Sequence, residues 1–324
     1  MSTSPTSANP SLANCKPDPA AAIAAVPPGG VFDGSGCYLT TGITISQPIT
    51  INGGVYNDPV NTNTGDETVH PIIRIKDTSQ VTIENASLVG ANPGGGFHRQ
   101  MVRQAGLDIL SSSGVSIVNV AVSDTFGDGM TVFTNYPVDK NPTSNLTVSG
   151  FSVTNAGRQG ITMATVTDSV FNNVAINSAT GDGWDFESDA PGIGSGNVTI
   201  SNSRSVKGVR LIEALQGPIS FDNYQGQRHV SLLQEAAASG RPVTFNGGSL
   251  LLPNRNHGAS LAGITVRGPG HLVLNSVDVG RLPASWAPTG LAWSVTGGGS
   301  LTLFRSLVAP PLGTSDQGST VTTS

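Results

Sequence analysis

The sequence predicts an all-β protein that folds as one right-handed parallel β-helix, a solenoid of stacked coils with a short N-terminal cap. Three observations predict it: the composition, a glycine-led segment that recurs along the chain, and a second recurring strand. Gly contributes 41 of the 324 residues, whereas charged residues make up 11% and aromatic residues 5%. Helical proteins use Glu, Lys, Arg, Ala and Leu heavily, but this chain favours Gly, Ser, Thr, Val, Asn and Ile. Such residues favour strands and turns.

The strongest signal is an internal repeat in which a glycine opens each strand. Its copies begin about 23 to 31 residues apart, at Gly106, Gly129, Gly160, Gly183 and Gly208. Coils of that length, with the variation absorbed in loops, are typical of a β-solenoid. We therefore expect these five segments to stack on one another, strand upon strand.

A second strand recurs between the glycine-led segments. Its copies are Val81–Asn85, Val115–Asn119, Leu146–Gly150, Val170–Val174 and Val198–Asn202. Apolar residues alternate along it, so one face points into a core and the other outward. The Asn or Gly that follows is typical of a left-handed corner.

The chain divides into a disordered leader at residues 1–14, a β-helix domain at 15–312 and a disordered tail at 313–324. An Ala-rich stretch at 17–26 predicts a short helix that caps the first coil, whose strand edges would otherwise stay unpaired. The long coil predicts a protruding loop at 136–145. No second domain is expected.

Charge and hydropathy exclude two classes of partner. The net charge is −5 and no basic block is present, which excludes nucleic acid. No apolar run reaches the roughly 18–20 residues that span a bilayer, which excludes a membrane helix. We expect a secreted protein, in which Cys15 and Cys37 pair as a disulfide that pins the first coil. Two free thiols are the alternative.

Two stretches of the central coils carry a family resemblance: Asn155-Ala-Gly-Arg-Gln-Gly-Ile161 and Gly181-Asp-Gly-Trp-Asp-Phe-Glu-Ser-Asp189. With the opening Gly36-Cys-Tyr-Leu39, they make the chain resemble the pectate-lyase-like right-handed β-helix superfamily of polysaccharide-active enzymes, over roughly residues 30 to 310. The resemblance implies a carbohydrate substrate and leaves hydrolase, lyase and epimerase branches open.

The chain departs from the specific patterns of two branches. Polygalacturonases carry Asn-Thr-Asp, Asp-Asp and Gly-His-Gly motifs on successive coils, and this chain has none of them at the corresponding positions. It also lacks the Asp-Pro-His-Glu motif of alginate epimerases. An Arg74-Ile-Lys76 triplet matches polygalacturonases, but it precedes the central coils instead of following them. We interpret that match as coincidence.

Stacking the repeat brings carboxylates together. Asp185 and Glu187 point outward, in line with Asp108, Thr131, Thr162 and Arg210, while Asp128, Gln159 and Asp182 form the column just before the glycines. Strand spacing predicts about 10 Å between Asp128 and Asp182, and about 6–7 Å between the backbones of Asp185 and Glu187.

Paired carboxylates at such distances hydrolyse glycosidic bonds, and crowding raises the pKa of one of them. We predict Asp182 as general acid and Asp185 as base or nucleophile, with Glu187 and Asp128 as alternates. A role in turn geometry alone and calcium binding by the acidic group are the competing interpretations.

The predicted substrate-binding residues surround that cluster. Arg158, beside Gln159, would hold a substrate carboxylate or pair with Asp128 or Asp182. If the enzyme were a lyase or epimerase, Arg158 or Arg210 would stabilise the enolate. Tyr136 and Phe133 are candidates for stacking on sugars. His98 and Arg103 belong to a small basic group after the Gly94–Gly96 run, which either lies near the same face or is part of the ordinary surface.

The sequence therefore predicts a glycoside hydrolase that acts on a polysaccharide or oligosaccharide. A lyase or epimerase on uronate polymers is the second hypothesis, and a non-catalytic glycan-binding or tail-fibre-like module is the third. No cofactor is expected, with calcium as the alternative, since His229, His257 and His271 lack metal-ligand spacing. The oligomeric state stays open.

Overall fold

The computed structural model of the chain describes residues 19–39, 42–57, 70–134, 141–188, 193–212, 215–233, 241–252, 263–281, 292–308 and 313–324. These ranges contain one short helix, α1 (Pro19–Ala24), a single 3-10 turn (Arg99–Met101), and strands that stack in parallel. The chain is a right-handed parallel β-helix, as the sequence predicts.

Three stacks of strands form the walls of the solenoid. The first wall contains β1 (Val31–Asp33), β4 (Ile49–Asn52), β7 (Val81–Glu84), β10 (Ser116–Val118), β14 (Thr147–Ser149), β17 (Val166–Asn172), β20 (Gly196–Ser201), β23 (Ile219–Gln227), β25 (Pro242–Leu252), β27 (His271–Asn275), β30 (Ser300–Phe304) and β33 (Thr320–Thr323). A short extra strand, β13 (Thr143–Ser144), pairs with the start of β17.

The second wall contains β2 (Cys37–Leu39), β5 (Val55–Asn57), β8 (Ser87–Val89), β11 (Ala121–Ser123), β15 (Ser152–Thr154), β18 (Ala175–Ile176), β21 (Arg204–Ser205), β28 (Asp278–Arg281) and β31 (Leu307–Val308). The long strands β23 and β25 run through the corner and belong to both of these walls.

The third wall contains β3 (Ile43–Ile45), β6 (Ile73–Lys76), β9 (Leu107–Leu110), β12 (Met130–Phe133), β16 (Ile161–Met163), β19 (Trp184–Phe186), β22 (Val209–Ile212), β24 (Val230–Leu233), β26 (Ile264–Arg267), β29 (Trp293–Thr296) and β32 (Thr314–Ser315). It is a separate sheet, and it carries the glycine-led repeat.

Strand register confirms the glycine-led repeat residue by residue. The residues that directly follow the five glycines are paired in order: Leu107, Met130, Ile161, Trp184 and Val209. Their side chains are buried in the core. The predicted columns therefore exist in space.

The second repeat contains one register error. Thr147 pairs with Val170, so Val170 faces outward and is 45% exposed, while Ser169 occupies the inward position that we assigned to it. A slip of one residue moves a side chain to the opposite face of a sheet. The prediction was wrong here because Ser169 is a polar residue at a core position, where it donates to the Thr167 carbonyl and accepts from the Leu146 amide.

Aromatic side chains fill the middle of the core. Phe221 and Phe245 stack with their ring centroids 4.4 Å apart, and Trp184 meets Phe171 and Phe221 edge-on at 5.7 and 6.4 Å. Each is at most 1% exposed. Edge-to-face and offset stacking are the favoured aromatic geometries, so this cluster stabilises the core of the coils from β17 to β25.

Asparagines form a ladder at the corner after the first wall. Asn85 and Asn119 have φ angles of 56° and 52°, in the left-handed region that the sequence predicts there. The Asn119 amide donates to Asn85 at 3.3 Å, and the Asn85 amide donates to Asn52 at 3.0 Å. The ladder links successive coils at the same point of the turn.

The N-terminal cap of the chain agrees with its prediction, whereas the C-terminal end does not. Helix α1 lies within the predicted capping segment, and its Ile23 is buried in the core. Residues 313–324 were predicted to be disordered, but they contain β32, paired with β29, and β33, paired with β30. That prediction was wrong because the last full coil offers free strand edges that even a polar Thr-rich segment can extend.

Several predictions fall outside the described residues. The leader at 1–14, Cys15, the Cys37 side chain and Tyr136 in the predicted loop all lie there. The disulfide thus stays a prediction. In the part of the chain that the structure describes, no helix has the length and apolar character needed to cross a membrane.

Candidate active site

One outward-facing column of the third wall, called here the charged column, contains four charged residues and two threonines that follow one another in register. They are Arg74, Asp108, Thr131, Thr162, Asp185 and Arg210. Because the strands are parallel, the side chains project to the same side of successive coils. The predicted alignment of Asp108 with Asp185 is confirmed.

The column just before the glycines also exists. The Gly129 amide donates to the Gln159 carbonyl at 3.1 Å, and the Gly160 amide donates to the Asp182 carbonyl at 2.8 Å. Asp128, Gln159 and Asp182 therefore stack beside the charged column, and Asp128 and Asp182 lie on the same wall as predicted.

Asp128 is 1% exposed and has three donors. Thr162 Oγ1 and Arg158 Nη1 lie 2.7 and 3.1 Å from its Oδ2, and the Gln159 amide lies 2.9 Å from its Oδ1. Burial raises the pKa of Asp128 to about 6, although Arg158 and the two hydrogen bonds oppose the shift.

Asp185 is wholly buried beneath Arg210. The guanidinium donates to both carboxylate oxygens, at 2.9 and 2.6 Å, and Gln159 Nε2 donates to Oδ2 at 2.9 Å. Burial raises the pKa of Asp185 and the Arg210 contact opposes it. The predicted outward direction is confirmed, but every oxygen of this group is occupied by protein donors.

Glu187 bridges the two arginines at the edge of the cluster. Arg158 Nη2 lies 2.8 Å from Oε1 and Arg210 Nη2 lies 3.3 Å from Oε2. The side chain of Glu187 is 30% exposed, which makes it the most accessible of the four predicted acids.

Asp182 has a partner that sequence reasoning did not identify. His229 Nε2 lies 2.9 Å from its Oδ1, and Arg210 Nε lies 3.4 Å from its Oδ2. Its backbone amide donates to the side-chain oxygen of Gln159. The sequence contains no spacing signal for the Asp182–His229 pair, because the two residues lie two coils apart.

A groove of about 570 Å³ runs along the third wall. Its lining residues are Arg74, Lys76, Val102, Arg103, Ala105, Asp108, Leu110, Asp128, Thr131, Phe133, Arg158, Thr162, Ala164 and Glu187. Of the predicted site residues, this set contains two acids, Asp128 and Glu187, together with Arg158, Phe133 and Arg103. Asp182, Asp185, Gln159, Arg210 and His98 do not line it, so the groove lies nearer the N-terminus than predicted.

Asp108 is the main residue that the sequence-based site omits. It is 3% exposed, and among the described residues only Arg74 donates to it, from Nε to Oδ2 at 2.7 Å. Burial raises the pKa of Asp108 to about 6, against the opposing charges of Arg74 and Arg103. Its place in the charged column was the signal that could have identified it. The Arg74-Ile-Lys76 triplet, set aside above, contributes two residues to the same groove.

The loop that carries His98 stands beside the groove without lining it. The His98 ring meets Phe126 edge-on at 5.1 Å, and Thr180 Oγ1 donates to the Gly95 carbonyl at 2.7 Å. The glycine-rich segment Gly94–Gly96 thus extends from its own coil to the higher coil that contains Thr180, next to the column of Asp128 and Gln159.

Within the described ranges, no group of three or more His, Cys, Asp or Glu side chains is arranged to hold a metal ion. In the acid cluster, the carboxylate oxygens are bonded to Arg158 and Arg210. The calcium alternative stays a hypothesis.

Comparison with known proteins identifies the architecture. No family model matches the sequence, and no curated protein matches it. The structure is similar to a variant catalytic domain of a GH87 alpha-1,3-glucanase in complex with nigerose, with 12% identity, a TM-score of 0.53, and coverage of 88% of this chain and 63% of that one. It is also similar to the tailspike protein gp49 from Pseudomonas phage LKA1, with 11% identity, a TM-score of 0.52, and coverage of 90% and 52%.

What the three proteins share is the β-helix fold. The chain spans less than two thirds of the length of either structure. Because a fold of this kind hosts many activities, function must be argued from the groove itself.

Proposed function

We propose that this protein is a carbohydrate-active enzyme, a glycoside hydrolase whose chemistry takes place in the groove of the third wall. The observation that supports this most is a pair of nearly buried carboxyl groups, Asp108 and Asp128, whose pKa values are both raised to about 6 and which line one groove. Glycoside hydrolysis needs one carboxyl group that stays protonated near neutral pH and a second that is ionised.

The two carboxyl groups differ in their donors, and that difference suggests their roles. Hydrogen bonds to a carboxylate favour its ionised form. Asp128 receives three of them, whereas Asp108 receives one from Arg74. We assign Asp108 as the general acid and Asp128 as the base that activates water.

The separation of the two carboxyl groups decides between inversion and retention of configuration, and NMR of the product measures the outcome. Asp128 stands in the coil directly above Asp108, because the Gly106 amide donates to its carbonyl at 3.0 Å, and its side chain accepts from Thr162 one coil higher. Inverting hydrolases separate their carboxyl groups by about 6.5–9.5 Å to leave room for water, whereas retaining enzymes use about 5–5.5 Å. Thr131 lies beside Asp108 in register and lines the same groove, where it would contact the sugar at the scissile bond.

The other predicted acids take supporting roles in this proposal. Asp185 is a positioning residue, since it holds Arg210 and Gln159 from a fully buried position. Arg210 in turn holds Glu187 at the edge of the groove, where Arg158 contacts both Glu187 and Asp128. Arg158 would orient the substrate, and Glu187 is the alternate base.

The test is a panel of glycans assayed for the type of new chain end. Hydrolysis gives reducing ends, and NMR of the first product shows whether the anomeric configuration inverts. Asp108→Asn and Asp128→Asn should each lower turnover by about 10²–10⁴-fold, the usual contribution of a general acid or base. Asp168→Asn is the matched control, because Asp168 is an exposed Asp on the first wall.

Other outcomes would redirect the proposal. Unsaturated ends would identify a lyase, and retention on glycan columns without any product would identify a binding module. If Asp182→Asn abolished turnover while Asp108→Asn kept it, the acids predicted from sequence would be the right ones. Secretion and the Cys15–Cys37 disulfide belong to the same proposal, and mass spectrometry of the exported, non-reduced protein tests both.

A further inference from the structure

The groove concentrates positive charge in an acidic protein. The chain has 16 Lys and Arg residues and a net charge of −5, yet four of those cations line this one groove. They are Arg74, Lys76, Arg103 and Arg158. Facing them are three acids, Asp108, Asp128 and Glu187.

Two of the four cations are already paired with groove acids. Arg74 binds Asp108 at 2.7 Å, and Arg158 binds Asp128 and Glu187 at 3.1 and 2.8 Å. Asp108 and Asp128 are nearly buried, so each holds its guanidinium partner in place.

The other two cations have no such partner. Lys76 lies 3.7 Å from Asp77, whose side chain is 51% exposed, and is itself 39% exposed. Arg103 is exposed and forms no ion pair with any residue that the structure describes, although its charge acts on Asp108. Exposed ion pairs are weak, so both side chains are available to a ligand.

We propose that the groove takes an anionic glycan, one that carries carboxylate or sulfate groups, with Lys76 and Arg103 as the residues that bind the anion. This inference rests on the proposed function of the groove. The planar fork of Arg matches such groups with two parallel hydrogen bonds, and Lys adds a compact point charge. A neutral glycan would cover both cations without pairing them, which is unfavourable.

The acids of the groove strengthen this preference below neutral pH. As the pH falls through about 6, Asp108 and Asp128 gain protons and lose their negative charges. The groove therefore becomes more positive, and binding of a polyanion should tighten over that range.

Two matched pairs of polymers test the inference by equilibrium binding: polygalacturonate against its carboxyl-reduced form, and dextran sulfate against dextran. We expect at least tenfold tighter binding of one charged polymer than of its neutral partner, with an affinity that falls as salt rises. The double variant Lys76→Gln/Arg103→Gln should lose about tenfold for the charged polymer and little for the neutral one. Arg267→Gln, an exposed Arg on the same wall beyond the groove, is the control.

The outcomes separate this inference from the proposed hydrolysis. Equal binding within both pairs, or no binding to either charged polymer at low salt, would overturn it. Cleavage of a neutral glycan alone would overturn it and leave the hydrolase standing. Charge-dependent binding without cleavage of any polymer would support the anion preference and refute the hydrolase. The preferred pair shows whether carboxylate or sulfate is recognised.

Discussion

The same column of the third wall has two different halves. From Arg74 to Arg210 it is rich in charge, and in the coils above, the register continues through Ser231, Thr265, Ser294 and Thr314. The backbone pairing is parallel throughout, so the fold places no demand for charge at this position. The fold therefore does not require the charges of the lower half, of which Arg74 and Asp108 line the groove.

The two halves also differ in what keeps them stable. In the upper half, Ser231 is 2% exposed and its hydroxyl finds no partner among the described side and main chains, a modest cost of about 1–3 kcal/mol. In the lower half, Asp185 is fully buried and depends on Arg210. A buried charge without its partner is far more costly than a buried hydroxyl.

The largest stability effect that we expect tests this contrast directly. Arg210→Ala should lower the free energy of unfolding by about 3–5 kcal/mol, because it leaves Asp185 buried and unpaired. Ser231→Ala, one coil above, should be neutral or slightly stabilising, since it removes an unpartnered hydroxyl. Urea unfolding measures both, and equal losses in the two variants would show that the halves are energetically alike.

The next effect is a dependence of stability on pH that belongs to the lower half. Asp108 and Asp128 have pKa values raised from 3.8 to about 6, so the native state binds more protons than the unfolded chain between those values. Their contribution to stability is complete below about pH 4 and is lost as the pH rises through about 6, by at most about 3 kcal/mol for each.

Unfolding curves from pH 4 to 7 measure that loss. Asp108→Asn and Asp128→Asn should each flatten the slope, because the amide does not titrate. Asp168→Asn should leave it unchanged, since that exposed residue lies on the first wall. A slope that survives in the Asp108→Asn/Asp128→Asn double variant would place the titrating groups elsewhere.

The smallest effect concerns the asparagine ladder, which lies on the far corner from the groove. Asn85→Ala should cost about 1–2 kcal/mol, because an Ala with a φ of 56° is strained. Asn85→Gly removes the same exposed amide bonds without that strain and should cost less. If the two variants lost equal stability by urea unfolding, the amide ladder itself would be the source.

The fold and the columns could be predicted because the repeat has a strict period. Glycines and alternating apolar residues fix which side chains lie over one another, and the placement of Asp128, Gln159 and Asp182 follows from that alone. The slip at Val170 shows the limit, since a polar residue in the core hides the phase of its strand.

The position of the groove could not be predicted in the same way. Asp108 and Asp185 occupy equivalent places in one column, but Arg210 covers Asp185 while Asp108 lines the groove. That difference depends on side-chain contacts between coils and on the non-repeating segment at Val102–Ala105, which forms part of the groove wall. Periodicity carries no information on either.

The parallel register has a further consequence for how such a protein could change over evolutionary time. Each coil contributes one residue to a column, so gaining or losing a whole coil between two acids would alter their separation by about 4.8 Å. A pair spaced for retention, at about 5–5.5 Å, would then lie about 10 Å apart, beyond the roughly 6.5–9.5 Å that inverting hydrolases use. Insertion of a single coil between the two acids would thus separate them too far for either mechanism while leaving every side chain unmutated.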